Sequence, residues 1–167
     1  CGSGMKAIMF AHDLIKAGSA KAVVAGGMES MTNAPHLLNG SRTGIRFGNG
    51  ELVDHMAWDG LTNPDDGKAM GVFGDAACAK YGYDRAAVDA FSAESVKRAQ
   101  AAQASGAFAA EITPVTVKTR KGEVVFDTDE YVKAGTTMES LAKLKPAFKK
   151  DGTVTAGNAS GINDGAA

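Results

Sequence analysis

The sequence has 167 residues, the size of one ordinary domain or of part of a larger one. It is 44% hydrophobic and 22% charged, with a formal net charge of -1, so it has a globular balance and lacks the basic surplus of a nucleic-acid-binding chain. No apolar run approaches the roughly 18 residues of a membrane span. The 2 cysteines, Cys1 and Cys78, have no metal-type spacing and suit a reducing compartment better than a disulfide scaffold.

In chain order, Cys1-Gly2-Ser3-Gly4 leads straight into a helical pattern with Ile8, Ala11 and Leu14 or Ile15 on one face and Gly18 as its stop. Ala22 to Ala25 read as a short buried strand ending at Gly26-Gly27. Helix and strand together suggest half of a parallel βαβ unit, whose first strand is expected upstream of Cys1. From Asn39 to Asp66 no period is sustained, and Gly, Asn and Asp accumulate, which predicts long loops. A short helix is predicted over Lys68 to Lys80.

The clearest helix follows. Asp84 is its N-cap, and Val88, Phe91, Ser95, Ala99 and Ala102 form its inner face, with Gly106 as the C-terminal stop. Asp89, Glu94, Lys97 and Arg98 are assigned to a solvated face. Ile112, Val115 and Val117 alternate with polar residues, and a turn at Lys121-Gly122 leads to Val124 to Phe126, a small hairpin. Thr137 caps a last short helix ending before Pro146. The final stretch to Ala167 is dense in small residues, which permit close approach of backbone to backbone or ligand. Both ends read as cut: the sequence opens on a chemically loaded cysteine and stops at Asn163-Asp164-Gly165-Ala166-Ala167, where another apolar element begins.

Cys1 is the sharpest chemical candidate. A cysteine at a helix start feels the positive end of the helix dipole and free backbone N–H groups, both of which favour a thiolate. Small neighbours at positions 2 and 4 leave the sulfur open to a bulky substrate. A thiolate attacks thioesters well, and the same helix end can stabilise an oxyanion. The alternative is an inert buried cysteine.

Other readings are open to the residues. Gly2-x-Gly4-x-x-Ala7 with Glu29 loosely matches a dinucleotide fingerprint, but the acid lies beyond the usual offset and the preceding strand is missing. A lipid-anchored Cys1 would be followed by a flexible linker, where a helix pattern stands instead. An N-terminal nucleophile hydrolase would need Cys1 on a strand edge. The three histidines, His12, His36 and His55, have no metal spacing; His12 falls on a polar helix side and the others in loops.

Four ordered blocks narrow these readings. Cys1-Gly2-Ser3-Gly4-Met5-Lys6-Ala7 resembles the active-site signature of the thiolase family. The segment from Ala25 to His36 is similar to the stretch that follows the family's nucleophile helix. Lys143 to Phe148 and Gly152 to Gly161 resemble two further family blocks, in the family's order and spacing. The resemblance covers the whole sequence but less than half of a family chain.

It implies a five-layered αβαβα fold of α/β class with an inserted loop domain. Residues 1–34 and 154–167 would belong to the N-terminal half, and 35–153 to the loop domain that holds coenzyme A. The implied activity is acyl transfer: reversible Claisen condensation of two acetyl-CoA molecules through an acyl-Cys1 intermediate. By resemblance, Leu61, Met70, Lys133, Ser140, Phe148, Ala156 and Ser160 fall on coenzyme-contacting positions. Lys133 would attract phosphate, and the apolar residues would hold the pantetheine arm. Each has a plainer reading: Lys133 as a surface lysine, Leu61, Met70 and Phe148 as core, and Ser160 as a turn former.

One residue departs from the pattern. Many family members carry a histidine immediately before the position of Met70, and here Ala69 stands there. The family's catalytic histidine, the asparagine that helps hold a water, and the second cysteine are expected downstream, so the segment alone is expected not to turn over. The expected partners are acetyl-CoA and related acyl-CoA thioesters and, for the full chain, identical subunits in a homotetramer with contacts from Leu37 to Asp54. The coenzyme A thioester enters as substrate; no separate cofactor, metal, nucleic acid or membrane partner is expected, and the expected location is the cytoplasm.

Overall fold

The computed structural model describes residues 1–167. The chain divides into two compact units, Cys1–Met70 with Gly161–Ala167, and Gly71–Ser160. No helix is long and apolar enough to cross a membrane.

In the first unit, α1 runs from Ser3 to Lys16. It ends as predicted: Gly18 takes φ 74°, the Gly18 N–H donates to the Ile15 carbonyl, and the Ser19 N–H donates to the Leu14 carbonyl. That pair of bonds closes a helix around a left-handed residue, a conformation that glycine adopts without steric cost. Ala22 to Ala25, expected as a buried strand, pair with nothing, and Val24 is fully exposed. A strand exists only through a partner's hydrogen bonds, and this apolar run has none here.

The pairing starts later. β1 (Met28–Glu29) lies antiparallel to β6 (Gly165–Ala166), extended by reciprocal bonds between Gly27 and Ala167. Gly26 is required there, because a Cβ would collide with the Ala167 carbonyl oxygen. The stretch expected to be loop, Asn39 to Asp66, contains β3 (Leu52–Asp54), paired with β2 (His36–Leu38) just before it, and a wide helical turn over Met56–Leu61. His36 therefore stands in a strand rather than a loop. Its short strands carry no alternation long enough to register as a period.

In the second unit, α2 (Met70–Tyr81, opening at the unit boundary) and α3 (Arg85–Ala104) are separated by Gly82 at φ 73°. The Asp84 carboxylate caps α3 by accepting from the Ala87 N–H at 2.8 Å, and Gly106 at φ 70° follows its end. The inner face of α3 is rotated from the one predicted. Phe91 is 79% exposed and Asp89 only 2%. Asp89 points inward because its charge is matched there: Arg85, one turn earlier, and Asn158, far along the chain, both donate to it. A count of apolar residues along one helix cannot register such partners.

The hairpin forms as expected, β4 (Val115–Thr119) with β5 (Gly122–Phe126), and all ten residues are exposed. The last helix, α4 (Met138–Ala142), opens with a reciprocal cap: Ser140 N–H donates to Thr137 Oγ1, and Thr137 N–H to Ser140 Oγ. Among apolar side chains only Ala11, in the first unit, and Leu141, in the second, are buried. The second unit is held as much by buried polar groups, Asp75, Asp89 and Thr155, as by its apolar core.

Candidate active site

In the first unit, Cys1 is exposed and stands two residues before the first residue of α1. No side chain caps this helix, in contrast to α3 and α4, and its first turn carries no acid. The N–H groups of that turn therefore stay free for an anion or oxyanion at the Cys1 end. Gly2 has open space where a Cβ would stand, and Gly4 lies against Gly27, within ordinary contact distance. Leu61 and Met70 are also in this unit. An isolated antiparallel bridge, Thr62 to Ala69, draws their immediate neighbours together, so Ala69 is engaged through its backbone.

The second unit brings three of the predicted residues into one cavity. Lys133, Ser140 and Ala156 line a space of about 430 Å³, walled by Leu141 and Leu144 on one side and Gly157 on another. Lys133 is the only charged side chain in the lining. Its ammonium lies 5.6 Å from the centre of the Tyr131 ring, and its carbonyl accepts from the Gln100 side-chain amide at 3.1 Å, which fixes this loop to α3. Ser140 holds its place through the α4 cap. Phe148 lies against Gly71, and Ser160 is exposed at the end of the unit; neither lines this cavity.

A larger cavity of about 730 Å³ lies between the end of α3 and residues 126–132. Its lining carries Glu111, Asp127 and Asp129 and no cation. That charge repels a phosphorylated ligand, so the smaller, cationic cavity is the better candidate for one.

The loop that supplies Ala156 and Gly157 is folded by polar bonds that sequence reading missed. Thr155, fully buried, donates its N–H to Asn158 Oδ1 at 2.7 Å, and its hydroxyl accepts from the Gly157 N–H. Asp75 of α2 accepts from the Thr153 and Val154 N–H groups at 2.7 and 2.9 Å through a single oxygen. One local signal pointed to part of this arrangement: Arg85 and Asp89 stand at i and i+4, the spacing of a helical ion pair.

Of the other ionisable residues, His12 sits beside Asp13 on the exposed side of α1, and His55 pairs with Asp59 at 3.1 Å. No three His, Cys, Asp or Glu side chains are grouped as metal ligands.

The model of the thiolase N-terminal domain matches residues 1–167. The chain belongs to the thiolase family. It is 55% identical over its whole length to an acetyl-CoA acetyltransferase of Chromobacterium violaceum, and 50% identical to one of Escherichia coli. In both cases it spans 43% of the relative's length. Among solved structures it superposes with TM-score 0.92 on human mitochondrial 3-ketoacyl-CoA thiolase, at 40% identity, covering 99% of this chain and 42% of that one. The Bacillus anthracis acetyl-CoA acetyltransferase gives the same TM-score at 44% identity, over 98% of this chain and 41% of that one. The α/β fold expected from the four sequence blocks is thus the thiolase fold. The unpaired Ala22–Ala25 run and the irregular 39–66 stretch belong to it.

Proposed function

We propose that this chain is the acyl-accepting part of an acetyl-CoA C-acetyltransferase, a thiolase that condenses two acetyl-CoA molecules reversibly. The observation that carries the reading is the thiolase-domain match across all 167 residues, with Cys1 exposed before an uncapped helix. The curated relatives quoted above carry the same activity in their names.

The chemistry follows from the residues. The Cys1 thiolate attacks the acetyl-CoA carbonyl carbon; the new S–C bond forms as the bond to the coenzyme sulfur breaks, and coenzyme A leaves as a thiolate that takes up a proton. Free N–H groups of the first turn of α1 are the available donors to the oxyanion. A base supplied by the rest of the enzyme takes a proton from the methyl carbon of a second acetyl-CoA. That carbon attacks the acyl-Cys1 carbonyl, forming acetoacetyl-CoA and returning the Cys1 thiolate. Lys133, Ser140 and Ala156 hold the coenzyme in the 430 Å³ cavity of the second unit; Leu61, Met70, Phe148 and Ser160 are assigned to it by the family resemblance alone. Residues 35–153 act as the loop domain, and the working enzyme is a cytoplasmic homotetramer.

The test is acetylation of the full-length enzyme by acetyl-CoA, followed by peptide mass spectrometry. One added acetyl group on the Cys1 peptide, absent from Cys1→Ala, is the expected result. An unmodified Cys1 under conditions that form acetoacetyl-CoA would overturn the reading.

A further inference from the structure

Two walls of the candidate coenzyme cavity come from separate segments of the chain, α4 with its following turn and the loop 153–160. They touch where Gly157 meets Leu141 and Leu144, and a Cβ at 157 would collide with both leucines. One buried carboxylate connects the groups that hold these walls. Asp89 Oδ2 accepts from Arg85 Nε at 2.8 Å, and Asp89 Oδ1 accepts from Asn158 Nδ2 at 2.9 Å. Arg85 Nη2 in turn donates to the carbonyls of Leu141 and Leu144, the latter at 3.0 Å. Asn158 donates to the Thr153 carbonyl at 2.8 Å and accepts from the Thr155 N–H, which shapes the other wall.

The chain of bonds therefore runs from the α4 wall through Arg85, Asp89 and Asn158 to the Ala156 wall. Asp89 is 2% exposed, so water does not substitute for these partners. Asp89 lies outside the cavity lining and cannot contact a ligand there.

We propose that Asp89 is a positioning residue for the coenzyme: by joining Arg85 to Asn158 it sets the spacing of the two cavity walls that carry Ser140 and Ala156. This inference rests on the coenzyme assignment above. It predicts a specific kinetic division. A thioester that uses the cavity depends on Asp89, while a truncated acetyl thioester of N-acetylcysteamine, without the nucleotide, does not.

The experiment compares full-length wild type, Asp89→Asn and Arg85→Lys, with the acetylatable Cys1 titrated so that rates refer to competent sites. Asp89→Asn is expected to raise KM for acetyl-CoA about tenfold with kcat within about threefold, the scale of one misplaced charge-assisted hydrogen bond. Cys1 acetylation by the truncated thioester is expected to keep its wild-type rate per competent site. General damage to the fold would instead remove sites and leave KM unchanged. If Asp89→Asn yields no folded enzyme, Arg85→Lys, which keeps a cation but loses the fork to Leu141 and Leu144, is read by the same criteria. Unchanged KM for acetyl-CoA, or equal losses with both thioesters, overturns the proposal. Failure of wild type to acetylate Cys1 would instead strike the functional reading, and CoA binding by calorimetry would then carry the Asp89 comparison, with unchanged affinity in the variant overturning the proposal.

Discussion

The ring of Phe148 occupies the space that a Cβ on Gly71 would need. A methyl group at 71 cannot coexist with the ring as placed, yet Phe148 is 44% exposed and free to swing outward. Gly71→Ala is therefore expected to move Phe148 and leave the fold intact. With Phe148 as a coenzyme contact, KM for acetyl-CoA rises roughly three- to tenfold, as for the loss of one apolar contact. The thermal midpoint, measured alongside, should move by no more than about 3 °C, because the displaced ring needs no buried rearrangement.

Asp75 tests the polar core of the second unit. One of its oxygens receives the Thr153 and Val154 N–H groups, while Oδ2 is buried without a partner. Asp75→Ala removes the acceptor of two part-buried N–H groups and of the Thr153 hydroxyl, and should cost about 3 kcal/mol in urea unfolding of the full-length enzyme. Asp75→Asn retains an accepting oxygen and should stay within about 1 kcal/mol of wild type, since the amide replaces an oxygen that bonds to nothing. Equal losses for the two variants would mean that the charge, not the acceptor, matters.

Leu141 is the most buried apolar side chain, at 2% exposure. Leu141→Ala is expected to destabilise by about 3 kcal/mol, the range for emptying a packed leucine site. Gly157→Ala should cost about 2 kcal/mol by the opposite mechanism, overpacking against Leu141 and Leu144. The double variant is the informative measurement: the new methyl enters the space the leucine vacates, so the two losses should fall short of their sum.

Asp164 in the first unit accepts from the Thr32 N–H at 2.8 Å. Hydrogen bonding from Thr32, side chain first and backbone second, holds its carboxyl below the ordinary value of 3.8. A carboxylate lowered on folding stabilises the fold fully above its unfolded-state value, and that contribution is lost as pH falls through the lowered one. A carboxyl carbon NMR titration should find Asp164 still charged where ordinary aspartates are half protonated, and Thr32→Pro, which removes the backbone donor, should return it toward 3.8.

Lys133 is the only charged side chain of the candidate cavity. Lys133→Ala should raise KM for acetyl-CoA roughly fivefold at low salt, with less effect at 0.5 M salt, because an exposed cation attracts phosphate through a screened field. A truncated thioester without phosphates should react equally well with the wild type and with the Lys133→Ala variant.

What the sequence determined by itself was local or ordered along the chain. The ends of α1 and α3 were legible because Gly18, Asp84 and Gly106 act on backbone groups within one turn of themselves. The Thr137 cap was legible for the same reason, and the family was legible because four blocks stand in a fixed order. The tertiary structure decided whatever depends on a partner far away in sequence. Ala22–Ala25 has strand composition but no neighbour to pair with, and Asp89 has a surface residue's chemistry but two donors in the interior, one of them 69 positions along. The gathering of Lys133, Ser140 and Ala156 around one cavity belongs to the same class: no spacing rule links them, and it is the fold of the second unit, with Asp89 between two of its walls, that brings them to a common space.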